Sequence, residues 1–396
     1  MGTATALFLA RSGVRVTLFD RAPVPLTGAS RWNEGKIHLG YLYAAAPSLE
    51  TARRLLPGGL LFKTLIEELV GGSIDEAVSD QDDVYLVHRR SVVGLDATAR
   101  YVKAVRELAA GHPDSGRYLA AVNGSTPQQL TKAQLEADFE TRDIVGGFRV
   151  PERSVSTRWI ADRLIDALEA EGRIELAMQS RVQHVRRTSP ASDAPLVVEC
   201  DIRTDGPFDA VVNALWDGRL AIDAGLGLAL PQTWSHRYRL SVFLSNASPV
   251  RAVPSAVVAT GPFGDVKNYN GHDFYASWYP LGLVAQGRAI DPPAVPALSS
   301  DDRRRLAIAV LERVGTFVPA VRQLIGSAMQ LEGGWVYAAG DGVLSDPRST
   351  LHRRDQAGIF QQGNYISVDT GKYSIAPWLA TRVVQLILNR TARLPG

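Results

Sequence analysis

The first twenty residues constrain the fold most. Apolar residues at Ala4, Leu7, Phe8 and Ala10 follow a helical spacing. Gly13 stands where a helix C-cap belongs, and Val14-Arg15-Val16-Thr17-Leu18-Phe19 then reads as a buried strand closed by Asp20. Helix, tight turn, strand and acid form the second half of a dinucleotide-binding unit. Such a unit opens with a strand and a Gly-x-Gly-x-x-Gly turn. The glycines let the backbone approach a pyrophosphate on the helix N-terminus, and the acid bonds the adenosine ribose. Gly2 takes the place of the third glycine. Asp20 follows it at close to the expected spacing of about 20 residues.

Downstream, Pro23 and Pro25 force a loop. Residues 48–70 read as a helix broken at Pro57-Gly58-Gly59. Residues 84–87 read as a strand, and 98–110, 132–139 and 155–171 as helices; the last places Trp159, Ile160, Leu164, Ile165 and Leu168 on one face. Short strands are predicted over 173–177, 182–185, 196–200 and 209–214. Residues 238–284 alternate aromatic and polar side chains, 292–299 form a Pro-rich loop, and 301–315 and 377–389 read as helices. This order predicts an α/β fold, a Rossmann-like dinucleotide-binding domain interleaved with a β-sheet-rich substrate domain. Residues 1–80, 151–220 and 331–396 are assigned to the first, and 81–150 and 221–330 to the second.

Charge and cysteine content narrow the function classes. The 43 basic and 41 acidic side chains nearly cancel, which gives no basis for binding nucleic acid or an anionic membrane. Cys200 is the only cysteine, so an internal disulfide and a thiolate metal cluster are excluded, and a cytoplasmic setting fits. Residues 4–10 are short and lack a basic leader, so they read as a helix face and not a signal peptide. No run approaches the roughly 18–20 apolar residues of a membrane span. Neither a metal-binding helix motif nor a Ser-His-Asp order stands out.

The segment Thr5 to Arg21, with its Asp20-Arg21 pair, resembles the opening of D-amino-acid oxidase-like flavoproteins such as glycine oxidase and the D-amino-acid dehydrogenases. Gly28-Ala29-Ser30-Arg31-Trp32-Asn33-Glu34-Gly35-Lys36-Ile37 looks like that family's Ala-Ser loop beside the flavin ring. Val211-Val212-Asn213-Ala214-Leu215-Trp216 is similar to its late Val-Val-x-Ala-Ala-Gly strand, with Leu215-Trp216 in place of Ala-Gly. Residues 365–377 look like its closing signature, a strand, a turn at Gly371 and an Ala-Pro helix start. The family's first strand and first two glycines have no counterpart here. They are expected upstream of Met1; the other possibility is a chain that has lost tight flavin binding.

The resemblance implies FAD as cofactor. It implies cofactor contacts from Gly2, Asp20, Arg21, Ser30, Arg31, Asn33, Glu34, Gly35, Lys36, Val182, Asn213, Ala214, Trp216, Gly371, Lys372 and Ser374. Lys372 and Ser374 would face the flavin's pyrimidine carbonyls. Arg348 would hold a substrate carboxylate, with Arg353 and Arg354 as neighbouring alternatives, and His38 would face the substrate. Tyr275, Trp278 and Tyr279 are read as core aromatics in preference to pocket residues. Gly340-Asp341 lacks the apolar helix start that follows the Gly-Asp motif of flavin monooxygenases and halogenases. The expected activity is oxidation of an amine or amino-acid-like small molecule, with the electron acceptor open. The rivals are a flavin-free binding or scaffold protein, and a monooxygenase or halogenase that consumes NAD(P)H.

Overall fold

The computed structural model describes residues 1–46, 48–122 and 125–391. The opening residues form the helix Gly2–Arg11, whose positions from Thr3 to Ala10 are all buried. Gly13 follows at φ +89°, where an L side chain would cost roughly 1–2 kcal/mol. It turns the chain into the strand Val16–Phe19, which pairs in parallel with Ile174–Ala177. A second parallel pair joins Val211–Asn213 to Tyr365–Asp369, and Gly358–Gln362 adds an antiparallel neighbour. Among the described residues no strand joins these two sheet fragments. Val16–Phe19 and Val211–Asn213 both border one cavity.

The opening helix packs on the C-terminal helix Ala376–Thr391 and on Glu50–Val70. Leu7, Leu55, Leu56, Leu60, Val383 and Ala380 meet there in the larger core. Glu50–Val70 runs unbroken through Pro57, which corrects the expected interruption. Proline forfeits one helix hydrogen bond, but the two glycines after it permit contacts no other residue allows. A Cβ on Gly58 would stand 2.7 Å from the Cα of Ile375, and one on Gly59 2.2 Å from the carbonyl oxygen of His38. Tertiary packing on this closely approached face decides the helix.

A nine-stranded sheet forms the other half of the molecule. It draws on Asp83–His88, Gln128–Gln129 and Ile144–Val150, on five strands between 235 and 287, and on Ala328–Ala338. Residues 331–338, expected with the dinucleotide-binding part, lie in this sheet, because Ala328–Ala338 pairs along the whole of Ser235–Ser245. Side chains alternate between the two faces with period two. Leu240, Val242, Leu244, Phe274 and Ala276 pack under the helix Ser300–Val314. Trp278 stacks on Phe317 at 5.4 Å on that apolar side. The opposite face is polar, with Arg237, Arg239, Ser241, Lys267, Tyr275 and Ser277. This polar face turns toward the loop Gly28–Lys36 and closes the site. No helix among the described residues is long and apolar enough to cross a membrane.

Candidate active site

A cavity of about 2150 Å³ lies between the sheet fragments and the large sheet. Pockets for drug-sized ligands run to roughly 300–1,000 Å³, so this one suits an extended ligand. Two groups of residues line it.

The first group surrounds the opening helix. A Cβ on Gly2 would meet only Ala214, at an ordinary 3.6 Å, so the helix N-terminus stands open to the cavity. Asp20 caps the strand Val16–Phe19, and its Oδ1 accepts the Ala22 N–H at 2.9 Å. Burial raises its carboxyl above the usual aspartate range, with that hydrogen bond opposing. Arg21 reaches out to Asp217 at 3.2 Å, and Val182 lines the wall. Asn213 is committed elsewhere. Its Nδ2 lies 2.9 Å from Asp223 Oδ1 and 2.8 Å from the Tyr365 hydroxyl, and Arg219 clamps Asp223 at 2.7 Å. This buried network fixes the end of Val211–Asn213. Trp216 follows at φ +55°.

The second group is built on the loop Gly28–Lys36 and the turn at Gly371. Asn33 shapes the loop: its Nδ2 donates to the Ala29 carbonyl at 2.7 Å, and its Oδ1 accepts the Gly35 N–H at 2.8 Å. Gly35 lies off the cavity wall, at φ +64°, where a Cβ would sit 1.9 Å from the Val155 carbonyl oxygen. Ser30 and Glu34 line the wall. Burial opposes the Glu34 charge, but Lys372 and Arg239 outweigh it and hold the carboxyl below its usual range. Gly371, at φ +61°, lets the turn pass Ala357. Beside it, burial lowers the Lys372 ammonium to about 8, with Glu34 opposing and Arg354 and Arg239 adding. His38 is 1% exposed and its Nδ1 has no partner. Burial first, then Lys372 and Lys36, push it well below the usual histidine range, so the ring is neutral.

Several expected residues lie off the cavity wall or are committed to partners within the protein. Arg348 lies off the wall, 89% exposed and paired to Asp346 at 3.1 Å. Arg353 pairs with Asp355, and Arg354 alone of the three lines the cavity. Its Nη1 donates to the Leu351 carbonyl at 2.8 Å and its Nε has no partner. Arg31 also lies off the wall, paired to Asp162 at 2.7 Å. Ser374 is buried behind the wall with its Oγ unpartnered. Lys36 lines the cavity, but its ammonium is taken by Asp83 at 2.6 Å and the Tyr85 hydroxyl at 3.0 Å.

That commitment exposes a charge layer that sequence reasoning missed. Lys267 reaches the other oxygen of Asp83 at 2.5 Å. Burial disfavours the Asp83 charge, yet Lys267 and Lys36 hold its carboxyl low. Glu152 accepts the Tyr85 hydroxyl and the N–H groups of Leu39 at 2.6 Å and Gly40 at 3.0 Å. Arg237 and Arg239 stand two apart on Ser235–Ser245, a spacing that puts both on one strand face. Among the described residues, no group of His, Cys, Asp or Glu could hold a metal ion.

The donor set fits FAD. An open helix N-terminus suits a pyrophosphate, Asp20 lines the same cavity as that terminus, and Lys372 and Gly371 offer a charge and a close backbone approach. A family profile described as FAD dependent oxidoreductase matches residues 1–329, so the closing segment 365–377 lies beyond it. No curated protein matches the chain. Solved structures with a similar fold include glycine oxidase from Geobacillus kaustophilus, 17% identical with a TM-score of 0.66 over 100% of this chain and 92% of that one. L-proline dehydrogenase from P. horikoshii is 13% identical, with a TM-score of 0.65 over 100% and 92%. L-alpha-glycerophosphate oxidase from Mycoplasma pneumoniae, solved with FAD bound, is 12% identical, with a TM-score of 0.64 over 98% and 92%. At these identities the neighbours establish the fold, and the profile, spanning well over half of the sequence, establishes that the chain belongs to the DAO family of FAD-dependent oxidoreductases.

Proposed function

We propose that the protein oxidises a small amine or amino-acid-like substrate bearing a carboxylate, which Arg354 holds. The observation that carries this reading is the Arg354 guanidinium on the cavity wall, with an unpartnered Nε, beside Lys372. A guanidinium fork matches a carboxylate in shape and charge. FAD, when bound, supplies the acceptor for the hydride. Asp20 and the N-terminus of Gly2–Arg11 would hold its adenosine ribose and pyrophosphate, and Gly371 and Lys372 its ring.

The chain's own side chains then position the substrate and manage its proton. His38 is neutral and lines the cavity, so its free Nδ1 can accept a hydrogen from the substrate ammonium. Glu34 opposes the loss of charge at Lys372. Orientation over the acceptor is the main demand, since the cofactor carries the chemical step.

The test is anaerobic mixing of the FAD-loaded protein with matched amines that carry or lack a carboxylate. Bleaching of the flavin should require the carboxylate. Arg354→Gln should weaken substrate binding by about 10–100-fold, the scale of a charge-assisted hydrogen bond. Equal reduction by amines without a carboxylate, or unchanged binding in Arg354→Gln, would remove the assignment. Steady NAD(P)H consumption would favour the monooxygenase alternative.

A further inference from the structure

We infer that Glu152 is a positioning residue for the reaction: its buried carboxylate fixes the stretch of backbone that aims the His38 ring into the cavity. The inference rests on the reading of His38 as the acceptor of the substrate's proton.

Glu152 is fully buried. Its Oε1 accepts two successive backbone N–H groups, Leu39 at 2.6 Å and Gly40 at 3.0 Å, and its Oε2 accepts the Tyr85 hydroxyl. Successive amides that converge on one oxygen form an anion-binding concavity. Here the anion is a side chain of the protein, and the residue leading into the concavity is His38. Arg153, next in the chain, holds the same segment at its other end. Its N–H donates to the Tyr118 hydroxyl at 2.9 Å, which donates to the Ile37 carbonyl oxygen at 2.6 Å. Lys36 is anchored through its ammonium to Asp83 at 2.6 Å and to the same Tyr85 hydroxyl at 3.0 Å. The close approach of Gly59 backs the His38 carbonyl oxygen itself.

The segment 36–40 is thus held on both sides of His38, while His38 lines the cavity with its Nδ1 unpartnered. Glu152 is not on the cavity wall, so it acts through His38 and not on the substrate. Burying a carboxylate is costly. Burial raises the Glu152 carboxyl, and Lys36, the Tyr85 hydroxyl and the Leu39 amide oppose it. In return, an ionised acceptor makes shorter and stronger hydrogen bonds than a neutral one. Proton transfer needs its acceptor held to within about 0.5 Å, which a backbone pinned on either side of the ring provides.

The test separates reach from charge in the FAD-loaded protein. Glu152→Asp keeps the charge but is a methylene too short for the two amides. Glu152→Gln keeps an acceptor in place and loses the charge. Histidine-labelled protein reports the His38 ring directly by NMR, with His38→Asn assigning its signal and flavin content confirming the fold. Glu152→Asp should shift or split that signal. It should also slow anaerobic flavin bleaching by a panel of L- and D-amino acids and glycine about 10–100-fold. Glu152→Gln should slow it by less than about tenfold. Propionate affinity should stay within about threefold of the parent in both, because Arg354 is untouched. Glu152→Asp combined with His38→Asn should be no slower than His38→Asn alone. An unmoved His38 signal in Glu152→Asp, or a double variant slowed by the product of the single effects, would overturn the inference and leave the His38 reading standing. A larger loss in Glu152→Gln than in Glu152→Asp would assign the carboxylate an electrostatic role and overturn it as well. Bleaching in His38→Asn as fast as in the parent would overturn the His38 reading and this one with it.

Discussion

Trp216 holds a left-handed backbone at φ +55°, and its indole N–H donates to the carbonyl oxygen of Trp335 at 2.7 Å. The residue stands where the resembling strand has glycine. A bulky L residue in this region costs roughly 1–3 kcal/mol. The indole hydrogen bond and edge contact with Tyr337 at 5.9 Å offset part of it. The bond ties the end of Val211–Asn213 to Ala328–Ala338, and so ties the two parts of the fold together across the cavity.

Trp216→Ala keeps the strained backbone and loses both compensations. Trp216→Gly loses them too but releases the strain. Alanine should therefore be less stable than glycine by about 1–2 kcal/mol in denaturant unfolding. Equal stability of the two variants would show that the backbone is relaxed at this position.

Asp83→Asn leaves Lys36 and Lys267 buried beside a neutral amide. Removing one partner of a buried ion pair costs about 3–5 kcal/mol. The pH sign follows from the depressed Asp83 pKa. Its stabilising contribution is complete above the unfolded aspartate pKa of about 3.9 and is lost as the pH falls through the lower folded value. Acid titration of stability should show this loss in the parent and not in Asp83→Asn. A variant as stable as the parent at neutral pH would contradict the triad's role.

Lys372 titrates near 8 instead of its ordinary value. Its positive charge is present below that pH and fades as the pH rises through it. Lys372→Met should lower the midpoint potential of bound flavin at about pH 7, and the gap between parent and variant should close above about pH 9. Redox titration of the FAD-loaded proteins at both pH values checks this. A gap that does not change with pH would assign the effect to some group other than the Lys372 ammonium.

Asp20→Ala should weaken FAD binding by about 10–100-fold while leaving secondary structure intact. Fluorescence titration of flavin release measures it. An unchanged dissociation constant would take Asp20 off the ribose.

Local pattern made much of this legible. The helix Gly2–Arg11, the turn at Gly13 and the strand ending at Asp20 are encoded by residues that contact one another within about two turns of chain, so periodicity and a glycine suffice. The glycine turn at Gly371 is readable for the same reason. The unbroken helix through Pro57 was not, because Gly58 and Gly59 are there for Ile375 and His38, partners invisible to local propensity.

Charge partners lay further from the sequence's reach. Arg348, Arg353 and Arg354 differ little as residue types, and only the folded chain decides that Arg348 pairs with Asp346 in solvent, Arg353 with Asp355, and Arg354 faces the cavity. Lys36 looked like a ligand contact until Asp83 and Lys267 arrived from two other strands. Arg237 and Arg239 announce a shared strand face by their spacing, but not what that face meets. Periodicity specifies which side of an element a residue occupies. What a charge is paired with depends on burial and on atoms brought together from distant segments, and these exist only once the sheet and the loop Gly28–Lys36 have closed over one another.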